Sequence, residues 1–195
     1  MAHTLAYFSP LSPIFPWYKV VWFKHHKPKN SLILWLAARG RLYTLDAKPM
    51  LYKHYTNRCY LCHTAWEPID HLFFKCDYTS HIWRFIQESI GFYILRNSWA
   101  DLLLWCSIHW ASTQFLLHKL LWSAAVYFIW IERNARAFRN QSSTAHSIIA
   151  QIKSCVRSRL ASLKLKSSSE LRLISSPSQL QTLFQQGCST SNGYL

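Results

Sequence analysis

Arg58-Cys-Tyr-Leu-Cys-His-Thr-Ala-Trp-Glu-Pro-Ile-Asp-His-Leu-Phe-Phe-Lys-Cys-Asp77 is the stretch on which the reading of this chain turns. Two residues separate Cys59 from Cys62, eight more precede His71, and four more precede Cys76. Cysteines two residues apart can form a knuckle whose sulfurs face one ion. Three thiolates and one imidazole then make a tetrahedral set that suits zinc. Four protein ligands leave no open position for water, so one structural zinc ion is expected rather than a Lewis-acid catalyst. The ion must displace thiol protons, so its binding should depend on pH. Two other readings compete. A Cys59/Cys62 redox pair needs a helix start after a strand, which the flanks do not supply. Reduced cysteines without a ligand need nothing further. Four ligand-type side chains within 18 residues favour zinc over both. His63 adjoins Cys62 and His81 falls in the next helix, and both read as surface residues. Cys106, Cys155 and Cys188 stand alone and read as free thiols.

Composition narrows the class of protein around this cluster. The chain has 195 residues, half of them hydrophobic and 16% aromatic, enough for a real core. Lys and Arg number 22 against 8 acids, a net charge of +14 that favours polyanions such as nucleic acid. The four glycines argue against Gly-rich phosphate loops and doubly wound nucleotide folds. The acids are Asp46, Glu67, Asp70, Asp77, Glu88, Asp101, Glu132 and Glu170, with no paired-aspartate motif. Two-metal phosphoryl transfer needs clustered carboxylates, so such chemistry is not expected. No nucleophile elbow or H-E-x-x-H motif is present, and the chain does not read as an enzyme.

The rest of the chain reads as mainly α, with little or no sheet. Residues 1–16 are proline-rich and irregular, and Pro10, Pro13 and Pro16 break any secretory signal. Trp17 to Lys24 has an extended pattern. Ser31 is a candidate N-cap for a helix over Leu32 to Ala38, which Gly40 ends. Asp46 should cap a second short helix with Pro49 in its first turn. Asp77 should cap a helix running to about Glu88. Further helices are expected over Trp99 to Trp110 and Thr113 to Arg139. Ala145, Ile149, Ile152, Val156, Leu160 and Leu163 recur at helical spacing over residues 145–166. The Ser- and Gln-rich remainder reads as disordered. The longest apolar run, Leu120 to Ile131, falls short of the about 20 residues a membrane span needs. The division is an N-terminal segment (1–16), a zinc-stabilised helical domain (17–98), an aromatic-rich helical connector (99–140), a basic amphipathic helix (141–166) and a tail (167–195).

In order along the chain come Trp22 and Lys24, then Pro28-Lys29 before Leu32-Ile-Leu-Trp-Leu-Ala37. Gly40-Arg41-Leu42 and Thr44 follow, then Cys59-Tyr-Leu-Cys62. Glu67 precedes His71-Leu-Phe-Phe74 and Cys76, and Trp83 follows. This succession resembles the zinc-binding domain that follows the reverse transcriptase domain in plant non-LTR (LINE-type) retroelements. Ile129-Trp-Ile-Glu132-Arg133-Asn134, Arg136 and Phe138 look like the segment leading from it to a ribonuclease H domain. The resemblance implies a zinc role for Cys59, Cys62, His71 and Cys76. It carries over no polymerase or nuclease activity. The chain looks like a detached piece, or a captured remnant, of such a polyprotein.

Three functions follow as expectations. The first is a non-catalytic zinc module that binds RNA or DNA. Arg39, Arg41, Lys48, Lys53 and Arg58 would neutralise phosphates, with Tyr43, Tyr52, Tyr55 and Tyr60 between them to stack on bases. The second is an interaction module that self-associates through aromatic helices carrying Trp99, Trp105, Trp110, Trp122, Phe128 and Trp130. A remnant without function falls beside it. The third, membrane attachment through helix 145–166, is disfavoured because that helix lacks Trp and Phe anchors. An intracellular location, nuclear or cytoplasmic, is expected.

Overall fold

The computed structural model describes residues 18–45, 58–90, 98–100, 102, 103, 106 and 116–163. Five α-helices have both bounds there: α1 (Tyr18–Val21), α2 (Pro28–Ala38), α3 (Asp77–Ile90), α4 (Leu116–Arg139) and α5 (Ala145–Ser162); Trp99, Ala100, Leu102, Leu103 and Cys106 are helical as well. A single π turn, His71–Lys75, runs into α3. No strand occurs among the described residues, as the mainly α reading expected. The second short helix, both chain ends and much of 99–115 lie outside them.

The stretch read as extended, Trp17 to Lys24, instead holds the one-turn helix α1. The Trp22 amide donates to the Tyr18 carbonyl at 2.7 Å. β-branched residues favour strands only weakly, and burial overrides the preference. Here Val20, Val21 and Phe23 reach the core while Tyr18 and Trp22 stay exposed. The next helix begins at Pro28 rather than Leu32. Proline's fixed φ and missing donor suit a first turn, and Lys27 takes the extended cap position. Ser31 is therefore not the cap. It is buried within α2, and its hydroxyl donates to the Val21 carbonyl at 2.7 Å, tying α1 to α2. Gly40 does end the helix. Its φ of +59° is left-handed. The Gly40 amide donates to Ala37 O and the Arg41 amide to Leu36 O, at 3.0 and 2.8 Å, the paired bonds of a Schellman cap.

The first helical residue of α3 is Asp77, not its cap. Cys76 is extended and holds the cap position, and its carbonyl accepts from the Ser80 amide at 2.9 Å. The central element is α4, packed against α2, α3 and α5. Every residue from Leu116 to Val126 is buried, because neighbours cover all sides of that half. Trp99, Trp122 and Trp130 lie in this core, while Trp105 and Trp110 lie outside the described residues.

The expected amphipathic helix is present as α5. Thr144 caps it, its side chain accepting from the Ser147 amide. The buried stripe is Ile148, Ile152, Val156 and Leu160, with Ala145, Ile149 and Leu163 half-buried at its edge. This stripe packs on α3 and α4, so it is already covered. Basic residues at its edges also turn inward. Arg159 Nε donates to the His25 carbonyl at 2.7 Å, and Lys153 Nζ sits 5.0 Å from the Phe85 ring centre. No helix among the described residues is long and apolar enough to cross a membrane.

Candidate metal centre

Cys59, Cys62, His71 and Cys76 converge, with one ligand atom from each lying within 4.8 Å of all the others. The Cys59 and Cys76 sulfurs are 4.0 Å apart. Cys62 Sγ lies 3.4 Å from His71 Nε2. A tetrahedral zinc with Zn–S bonds of about 2.3 Å has sulfur–sulfur edges of about 3.8 Å. The spacing therefore fits one zinc ion, and three thiols with an imidazole are a donor set that zinc prefers. His63 and His81 are exposed and lie outside the cluster.

Local backbone geometry explains the convergence. The Cys59 amide donates to Ala65 O at 2.7 Å and the His63 amide to Cys59 O at 2.8 Å, folding residues 59–65 into a tight loop. His63 closes the turn in the left-handed region, with φ of 59°. The Leu61 amide points at Cys59 Sγ at 3.4 Å, and Thr64 Oγ1 donates to Cys62 Sγ at 3.2 Å. Such donors stabilise negative sulfur. On the other side, the Cys76 amide donates to the His71 carbonyl at 2.9 Å. An α-helical turn would carry the fifth residue well past its starting point. The wider π turn returns it near His71, which is why His71 and Cys76 can share one ion.

Burial sets the protonation of these groups. The bond that Cys59 donates to Cys76, together with exclusion of water, holds the Cys59 thiol well above the usual thiol range. The same bond lowers Cys76. Loss of hydration lowers His71 and favours the neutral imidazole, the form that binds metal. Metal binding at this cluster would release thiol protons.

Behind the ligands stands an aromatic wall. Phe73 meets Trp99 edge-on at 5.2 Å, Phe74 stacks on Trp83 at 6.0 Å, and Trp83 lies 4.5 Å from Trp122. The Trp83 indole N–H donates to the Phe73 carbonyl.

The contacts that hold the knuckle from outside come from far along the chain. Glu67 and Arg133 form an ion pair at 2.7 Å in which both side chains have 0% exposure. The other Glu67 oxygen accepts from the Tyr60 amide at 3.1 Å. Arg136 donates to the Leu61 carbonyl at 3.0 Å, to Glu132 at 2.7 Å and to the Ser143 carbonyl at 2.8 Å. Sequence reading did not assign these residues a role at the site. One signal was available: Arg133 continues the apolar stripe Trp122, Val126, Ile129 of α4. A charge on a buried stripe requires a buried partner.

Of the residues expected to bind nucleic acid, Arg41 and Arg58 are exposed and Arg39 is half-buried. Lys48 and Lys53 lie outside the described residues.

Residues 3–83 match the family described as zinc-binding in reverse transcriptase. The matched segment contains all four ligands of the cluster. Comparison with the curated proteins finds no match. Comparison with the solved structures finds none either.

Proposed function

We propose that this protein is a non-catalytic, zinc-stabilised module that binds single-stranded RNA or DNA, derived from a LINE-type reverse transcriptase polyprotein. The observation that carries the reading is how the acids are spent. Glu67 and Glu132 are engaged by Arg133 and Arg136, and Asp70 accepts from the Trp99 amide at 2.9 Å. Asp77 and Glu88 are then the exposed acids among the described residues. Exposed bases, among them Lys24, Lys29, Arg41, Arg58, Lys75, Arg84 and Arg139, face water with little to offset them. Such a surface attracts phosphates. Exposed aromatics add faces on which unpaired bases can stack: Tyr43 at 53%, Trp66 at 41% and Phe138 at 66% exposure. The zinc ion would hold the knuckle rather than react, since four protein ligands leave it no open position.

The test is a fluorescence-anisotropy titration of the zinc-loaded chain with a single-stranded oligonucleotide across a salt series. Binding should weaken steeply with salt, the log–log slope being about 0.7 per phosphate contacted. Arg41→Ala with Arg58→Ala should lower that slope, whereas Phe138→Ala should lower affinity without changing it. No binding at low salt refutes the nucleic-acid reading and leaves an interaction module or a functionless remnant.

A further inference from the structure

The two residues between the ligand cysteines, Tyr60 and Leu61, are each gripped through the backbone. The Tyr60 amide donates to Glu67, which Arg133 holds. The Leu61 carbonyl accepts from Arg136, which Glu132 and Ser143 hold. The Arg133 guanidinium also lies 4.8 Å from the Tyr60 ring centre. Both arginines belong to α4, outside the segment that matches the zinc-binding family.

We infer that Arg133 and Arg136 are positioning residues of the metal centre, and that zinc affinity depends on α4 being docked. Neither touches the ion's ligand atoms. They fix the donor and acceptor of the Cys59–Cys62 turn, so its two sulfurs are already aimed when the ion arrives. Linkage makes the effect mutual: a zinc ion that tightens the turn also tightens the docking of α4. The zinc-binding unit is thus larger than the ligand segment and extends to the α4–α5 hairpin, whose Ser143 completes the second grip. This concerns the metal centre alone and does not depend on nucleic-acid binding.

The experiment uses the full chain. Zinc affinity is read by competition with a chromophoric chelator, and ligand geometry by the visible absorption of the cobalt(II)-substituted protein. Arg136→Met should weaken zinc binding by about 10- to 100-fold, with an unchanged cobalt spectrum at saturation. Arg136→Lys should recover part of the loss, since a lysine can reach one acceptor but not hold three partners. Arg133→Met leaves a buried carboxylate unpaired and can unfold the chain. The paired variant Glu67→Gln with Arg133→Met removes that charge and should still bind zinc about tenfold more weakly. Ser31→Ala, which removes the α1–α2 tie and lies outside the knuckle and its two grips, is the control for general stability. Affinities within about twofold of wild type in Arg136→Met and in the paired variant overturn the inference, as does a loss no greater than that of Ser31→Ala. A wild-type chain that takes up no zinc overturns it together with the metal assignment.

Discussion

Single residues show how much this fold asks of its polar groups. His118 lies in the buried half of α4, and loss of hydration pushes its imidazole down to about 4. An unfolded chain binds that proton near pH 6.5. Between those values the unfolded state holds a proton that the folded state refuses, so stability falls as pH drops. The loss should be about 1 kcal/mol between about pH 7 and pH 5.5, and about 3 kcal/mol once pH is below both values. His118→Gln cannot titrate and should flatten this part of the curve. Urea midpoints of both proteins across the range measure it, and the difference between them cancels the pH dependence of the zinc ligands. Of the residues at the metal centre, the four ligands were legible because their types and spacing state the chemistry. Glu67, Arg133 and Arg136 were read only as parts of a resemblance, although the place of Arg133 on the apolar stripe of α4 asks for a buried partner. Their roles need a pairing between positions 66 residues apart, which no local pattern encodes.

At the scale of elements, the long helices with a strong apolar stripe were the readable ones. α5 begins at Ala145, where that spacing put it, although its Thr144 cap was not read. Thr144→Ala should cost about 1 kcal/mol, the usual worth of a lost N-cap bond, seen as a lower urea midpoint with an unchanged slope. Short elements were misread where two weak preferences competed. Tyr18 to Phe23 is rich in β-branched and aromatic residues, as strands are, yet a helical turn forms there. Pro28 lies ahead of the expected helix start at Leu32, although a proline begins a helix as readily as it ends one. The π turn could not be foreseen from composition. It follows from the need to bring His71 and Cys76 to one ion, a tertiary demand rather than a local propensity.

At the scale of the whole molecule, charge works in two directions. A net charge of +14 repels itself in the compact state, so moderate salt should raise the thermal midpoint. The same salt should weaken any hold on a polyanion. Following both in one series, by melting and by anisotropy, should give slopes of opposite sign. A falling melting midpoint would show that the inward pairs, not the surface surplus, dominate the electrostatics. The Glu67–Arg133 pair also has a consequence in time. A ribosome adds about 5–20 residues per second, so Arg133 follows Glu67 by roughly 3–13 seconds. For most of that interval, once Cys76 has been added, the nascent chain carries all four ligands, but the carboxylate beside them has no partner to be buried with. The ion's seat is thus finished last by a part of the chain that does not touch it. A nascent chain halted before α4 would present its thiols to any competing metal or oxidant.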